Sequence, residues 1–184
     1  MRILKKMAAV CMTAGAIFAM GSAQAKSLVV YYSATGYTKN VANTIAHHLN
    51  GDTFELVPLE AYSNADLDYN NPSSRVCKEH DNPNRVVKLK ENKIPGFAGY
   101  DTVFVAYPIW WGIAAWPVDD FVRNNDFNGK KVIPVATSYS SPLGQSGTLL
   151  KDMAKSGDWQ EGIRFASGVD EKTVTGWLDS LNLK

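Results

Sequence analysis

The chain has 184 residues, 19 Lys+Arg against 18 Asp+Glu for a formal net charge of +1, and 45% hydrophobic residues. That length suits one domain of ordinary size with a real core. The near-neutral balance supplies no basic stripe, which excludes a nucleic-acid-binding surface.

The first residues read as a targeting signal. Arg2, Lys5 and Lys6 precede an apolar run over residues 7–20, and Ala23-Gln24-Ala25 follows as a small-x-small ending. This order is that of a secretory signal peptide, with cleavage predicted after Ala25. The run is shorter than the ~20 residues a membrane span needs. The mature protein, residues 26–184, is therefore expected in the periplasm or outside the cell, with no stable membrane insertion. It would carry 16 Lys+Arg against 18 Asp+Glu, net −2. Cys77 would be its one cysteine, so no internal disulfide is expected. Cys77-Lys78-Glu79-His80 has a ligand-like spacing, but two ligands do not make a metal site, and Cys77 is read as a solvated loop residue.

The mature chain alternates strand and helix patterns. Residues 28–32, 103–107 and 132–136 are short apolar runs, β-branched or aromatic, without polar alternation. Strands buried on both faces of a parallel sheet read this way. Residues 53–59 alternate more and fit an edge strand, and a weaker run at 162–166 would close the other edge. Val41, Ile45 and Leu49 mark a first helix stopped by Asn50-Gly51. Val118, Phe121 and Val122 mark a second, after Pro117. Leu149, Leu150 and Met153 mark a third, ending near Gly157. Val174, Trp177, Leu178 and Leu181 mark the last, capped near Asp170. The class is α/β with right-handed crossovers. Pro134 sits awkwardly inside its strand because proline removes a ladder donor. Residues 60–97 break the rhythm with Asn, Asp, Ser and Pro, and predict a long irregular insertion with a short helix around residues 85–90.

Ligands of an open parallel sheet bind beyond the carboxyl ends of the strands. Three loops lie there. The first, Ser33-Ala34-Thr35-Gly36-Tyr37-Thr38, enters a helix N-terminus, where unpaired N–H groups and the helix dipole attract anions. Its hydroxyls add donors and Gly36 permits a tight curl. It carries no Gly-Lys-Ser/Thr and no G-x-G-x-x-G, and it suits a terminal monophosphate ester. The second, Tyr107-Pro108-Ile109-Trp110-Trp111-Gly112, places adjacent tryptophans where one can stack on a flat conjugated ring while the other packs inward. The third, Thr137-Ser138-Tyr139-Ser140-Ser141-Pro142-Leu143-Gly144-Gln145-Ser146, can aim backbone N–H groups at a polar ring edge. A phosphate at one end and a flat, polar-edged aromatic at the other describe flavin mononucleotide (FMN).

With these motifs in register, the sequence resembles the flavodoxin superfamily. Ser33 to Thr38 is similar to its S/T-x-T-G-x-T phosphate loop, and "YPIWWG" followed by "PVDDFVRNNDFNGKKVIPVATS" resembles its branch with a Trp-Trp-Gly second loop. The resemblance runs from about Ser27 to Leu181. It implies a three-layer sandwich around a five-stranded parallel sheet in order 2-1-3-4-5. It also implies FMN bound through Ser33, Thr35, Gly36, Tyr37 and Thr38 at the phosphate, with Pro108 to Gly112 and the third loop framing the ring. Tyr139-Ser140-Ser141-Pro142 replaces the more usual Gly-Gly-Ser-Gly-like third loop, so Tyr139 either stacks on the ring's second face or crowds the site. Three functions remain open. One is a carrier passing electrons to a redox partner protein. Another is a reductase moving hydride from a nicotinamide to an acceptor such as a quinone. The third is a fold that no longer binds flavin.

Overall fold

The computed structural model describes residues 25–183. All but the last residue of the predicted signal peptide lies outside the described residues. The three apolar runs become β1 (Ser27–Tyr31), β3 (Thr102–Trp110) and β5 (Lys131–Ser138). An exposed strand, β2 (Asp52–Glu55), lies on one edge, with β6 (Asp158–Trp159) and β7 (Ile163–Ala166) on the other. These pair in parallel in the order β2-β1-β3-β5, and β6 and β7 both pair with the outer side of β5. This is the expected order 2-1-3-4-5 with its fifth position split.

Successive strand residues point to opposite faces, so the central strands feed two cores. Leu28, Val30, Val103, Val105 and Val132 pack with Val118, Phe121, Val122 and Leu150 of α3 (Pro117–Asn124) and α4 (Ser146–Ala154). Val29, Phe104, Ala106, Ile133 and Val135 pack with Val41, Ile45, Val174 and Leu178 of α1 (Tyr37–Leu49) and α5 (Glu171–Ser180). Each large buried side chain contributes about 1.5–3 kcal/mol, and the result is a three-layer α/β sandwich. The helix ends follow the sequence signals. Asn50 takes φ 49° after α1, Pro117 opens α3, and the Asp170 carboxylate accepts the Thr173 N–H at 2.8 Å at the start of α5.

The split edge accounts for Pro134. Val132 and Ser138 offer their carbonyls to Gln160 and Ser167, and alternate residues of a parallel strand face the same neighbour. Pro134 therefore turns its missing donor toward the β6–β7 edge. There the ladder lapses between Val132↔Trp159 and Val135↔Ile163. Gly162, at φ +79°, passes so close that a Cβ would lie 2.4 Å from the Pro134 carbonyl oxygen. A central-strand proline is tolerated because its neighbour breaks opposite it.

The insertion departs from expectation. Its helix is α2 (Arg75–Asp81), whose N-terminus is capped by the Ser74 hydroxyl accepting from the Cys77 N–H at 3.3 Å. Residues 85–90 are extended rather than helical. Val87 and Leu89 are buried while Val86 and Lys88 are exposed, a period of two that belongs to a strand. Leu89 bridges Pro58 in antiparallel fashion, and its N–H is accepted by the buried Asp120 carboxylate at 3.1 Å. Cys77 is not on a solvated loop. It lies half-buried on α2, with its thiol 3.5 Å from the Tyr69 carbonyl.

Candidate functional site

The first loop connects β1 to α1 beyond the sheet's carboxyl edge. The Ser33 hydroxyl accepts from the N–H groups of Gly36 at 3.1 Å and Lys39 at 3.2 Å. It serves as the loop's internal cap and fixes its curl. Gly36 sits at φ +92° with open space where a Cβ would be. Among the described residues, the N–H groups of Ala34, Thr35, Tyr37 and Thr38 find no partner, and the first turn of α1 carries no acidic residue. Free donors on a helix N-terminus form an anion cradle. Thr35 is exposed. Thr38 is buried, and its hydroxyl lies 2.8 Å from that of Thr137. Thr38 can therefore serve an anion through its N–H while its side chain ties the first loop to the third.

The second loop is a hairpin, not an open loop. Pro108, Ile109 and Trp110 continue β3, and Ile109 and Trp110 pair with β4 (Ile113–Ala114), leaving Trp111-Gly112 as a two-residue turn. Both turn residues have positive φ, 46° and 80°, as the turn that matches strand twist requires. For a tryptophan this conformation is strained by about 1–2 kcal/mol. Stacking offsets the strain. The Trp111 ring lies 4.6 Å from His80 at 24° and 6.0 Å from Trp116 at 26°. Trp111 remains 44% exposed. Trp110 instead makes edge contacts with Tyr32, Tyr62 and Trp116 at 5.4–5.6 Å. The two indoles thus divide, Trp110 packed among aromatic rings and Trp111 turned outward.

The third loop leaves β5 at Thr137 and Ser138. Arg164 of β7 braces it, donating to the Ser138 hydroxyl and carbonyl at 2.8 Å each, while the Ser138 hydroxyl donates to the Ser141 carbonyl. Tyr139 is 79% exposed, its ring edge-on to Tyr37 at 5.9 Å with the two hydroxyls 3.3 Å apart. Ser140 is exposed beside it. Gly144 lies against the hairpin, where a Cβ would stand in ordinary van der Waals contact, 3.7 Å from the Gly112 carbonyl oxygen. Below, the Tyr107 hydroxyl meets that of Ser146 at 3.0 Å, and burial pushes the Tyr107 phenol up to about 12. All three loops are therefore joined at one end of the sheet.

Several contributors escaped sequence reasoning. Tyr62, His80 and α2 come from the insertion and wall the tryptophan hairpin. The Tyr62 hydroxyl donates to Glu79, and Arg75 lies 4.0 Å over its ring. Burial first, then the Glu79 bond, pushes the Tyr62 phenol upward. No local motif signals these contacts, since they join residues far apart in the chain. His80 was legible only as half of a C-x-x-H pair.

The sequence matches the flavodoxin family over residues 26–181. The chain belongs to that family. Among solved structures it is similar to a protein designated a flavoprotein from Bacteroides eggerthii DSM 20697, with 38% identity, 86% of this chain and 99% of that chain covered, and a TM-score of 0.77. A counterpart from Bacteroides uniformis ATCC 8492 has 34% identity over 84% and 98% of the two chains, with a TM-score of 0.78. A flavoprotein of Lactobacillus acidophilus NCFM, solved in complex with FMN, shares the fold at 18% identity, 81% and 96% coverage and a TM-score of 0.56. No curated protein matches the chain.

Proposed function

We propose that this flavodoxin-family protein binds FMN and acts as an exported electron-transfer protein. The observation that carries the reading is the first loop, where four free N–H groups at a helix N-terminus curl around an open glycine and adjoin an aromatic hairpin. Bound FMN would supply one- and two-electron redox chemistry. Thr35, Gly36, Tyr37 and Thr38 would hold its phosphate, with Ser33 keeping the loop curled. The Pro108–Trp111 arm and Gly112 would line one side of the ring. Thr137, Ser138, Tyr139, Ser140, Ser141 and Gly144 would line the other. Trp111 would stack on the ring by exchanging its contact with His80 for the flavin, and Gly112 offers the backbone contact near the ring. This work asks only for binding, orientation and exclusion of water.

Export rests on the basic start, the apolar run and Ala23-Gln24-Ala25. The backbone N of Lys26 donates to the Asp101 carboxylate at 2.8 Å. Cleavage after Ala25 would turn that bond into an ammonium–carboxylate pair, and N-terminal sequencing of fractionated cells should find Lys26 first. A carrier and a reductase are separated by mixing the FMN-loaded protein, without oxygen, with NADH or NADPH and a quinone. A carrier is reduced by dithionite and reoxidised by the quinone but does not turn over nicotinamide. Steady nicotinamide consumption would assign the reductase instead.

A further inference from the structure

Two adjoining cavities lie behind the hairpin, away from the phosphate loop. They occupy about 240 and 320 Å³ and share Arg85, Asp119 and Arg123 in their linings. The larger lies at the lower end of the range that small-ligand pockets occupy, and the smaller adjoins it. In the second, Trp116 forms part of the wall. It is 1% exposed, and its indole N–H has no partner; the buried Nε of Arg85 has none either. The Arg85 guanidinium lies 4.0 Å over the Trp116 ring. Neither Arg85 nor Arg123 forms an ion pair with a carboxylate among the described residues.

Arginine and the indole N–H are donors only. A buried donor without a partner costs about 1–3 kcal/mol, so what completes them is an acceptor. Asp119 does not serve, since it pairs with neither donor, and Lys88 is already turned toward Asp120 at 3.9 Å. The first cavity supplies a different surface, with Ile113, Leu149, Leu150 and Met153 in its wall. With Arg85, Lys88 and Arg123 against Asp119 and Asp120, the second cavity keeps a net positive charge, and beside an apolar one it selects an oxyanion head on an apolar body.

We propose that these cavities are a second ligand site, distinct from the phosphate cradle, for an organic oxyanion with an apolar tail. Its head meets Arg85 and the Trp116 N–H, and its tail lies along Leu149 and Met153.

The probes are octanoate and octyl phosphate, with octanol and octylammonium as controls. The sequence has five tryptophans, so the indole N–H of Trp116 can be followed by nitrogen-15 NMR once assigned through Trp116→Phe. An anionic probe should shift that resonance saturably and raise Tm, whereas both controls leave it in place. Whichever anion binds tighter identifies the head as carboxylate or phosphate. Arg85→Gln should weaken binding at least about tenfold, the loss of one charge-assisted bond. Leu149→Trp, introduced from a half-open position, should block the tail without touching the head. No shift at millimolar octanoate and octyl phosphate, or an equal shift with octanol, overturns the proposal. So does unchanged affinity in both variants.

Discussion

Thr35→Ala gives the sharpest test of the phosphate cradle. Thr35 is exposed, and its hydroxyl takes part in no hydrogen bond among the described residues, so the free protein should keep its stability within about 0.5 kcal/mol. In the complex the change removes one hydroxyl bond to a charged phosphate, worth about 1.5–3 kcal/mol. At tenfold per 1.4 kcal/mol, the Kd for FMN should rise roughly 10–150-fold. Riboflavin lacks the phosphate, so its affinity should not move. Ser33→Ala supplies the contrast. It removes the acceptor for the Gly36 and Lys39 N–H groups and should lower the free protein's stability by about 0.5–2 kcal/mol, as loss of a helix cap does. Fluorescence titration with both ligands and thermal melting of the free protein read all of these effects. Equal losses of FMN and riboflavin in Thr35→Ala, or no loss of either, would refute the placement of the phosphate.

Three further outcomes follow from the packing. Trp110→Ala should destabilise by on the order of 3 kcal/mol, because Trp110 packs against three aromatic rings; Trp111→Ala should cost less and instead alter flavin fluorescence and the reduction potentials. Gly162→Ala should destabilise by more than about 1 kcal/mol even if the strands part, since the positive φ alone costs that much and the new Cβ would meet the Pro134 carbonyl oxygen at 2.4 Å; denaturant unfolding reads it. Burial raises the Asp119 carboxyl from an ordinary 3.8 to about 6, with Arg123 and Arg85 opposing. The folded state therefore holds this proton more tightly than the unfolded chain. The stability it contributes is full below pH 3.8 and lost as pH rises through 6, at most about 3 kcal/mol. Asp119→Asn should be more stable than the parent at pH 7, with the gap closing toward pH 4 in parallel unfolding curves.

The central sheet was legible because strands buried on both faces leave continuous apolar runs, and β1, β3 and β5 do so. The helix stops at Asn50 and the cap at Asp170 were legible because single residues decide them. The split edge was not. Only the pairing of Gly162 with Pro134 reveals that one residue's missing donor dictates a break in another strand. The extended course of residues 85–90 was present in the alternation of Val87 and Leu89 but was outweighed by their helix-compatible neighbours. In the site, the three loops were readable from their position after buried strands. Trp111 as a strained turn residue, and the ring of His80 that steadies it, depend on tertiary contacts that no local spacing encodes. Arg164 likewise braces Ser138 from 26 residues away.

The central claim, that three loops at one end of this sheet hold FMN through its phosphate, is met most directly by titrating FMN and riboflavin into protein spanning residues 26–184. The account predicts one FMN bound per chain, strong quenching of flavin fluorescence, and FMN tighter than riboflavin by at least about 100-fold, the sum of two charge-assisted bonds. Flavin fluorescence and absorbance unchanged by an equimolar amount of the protein would contradict it.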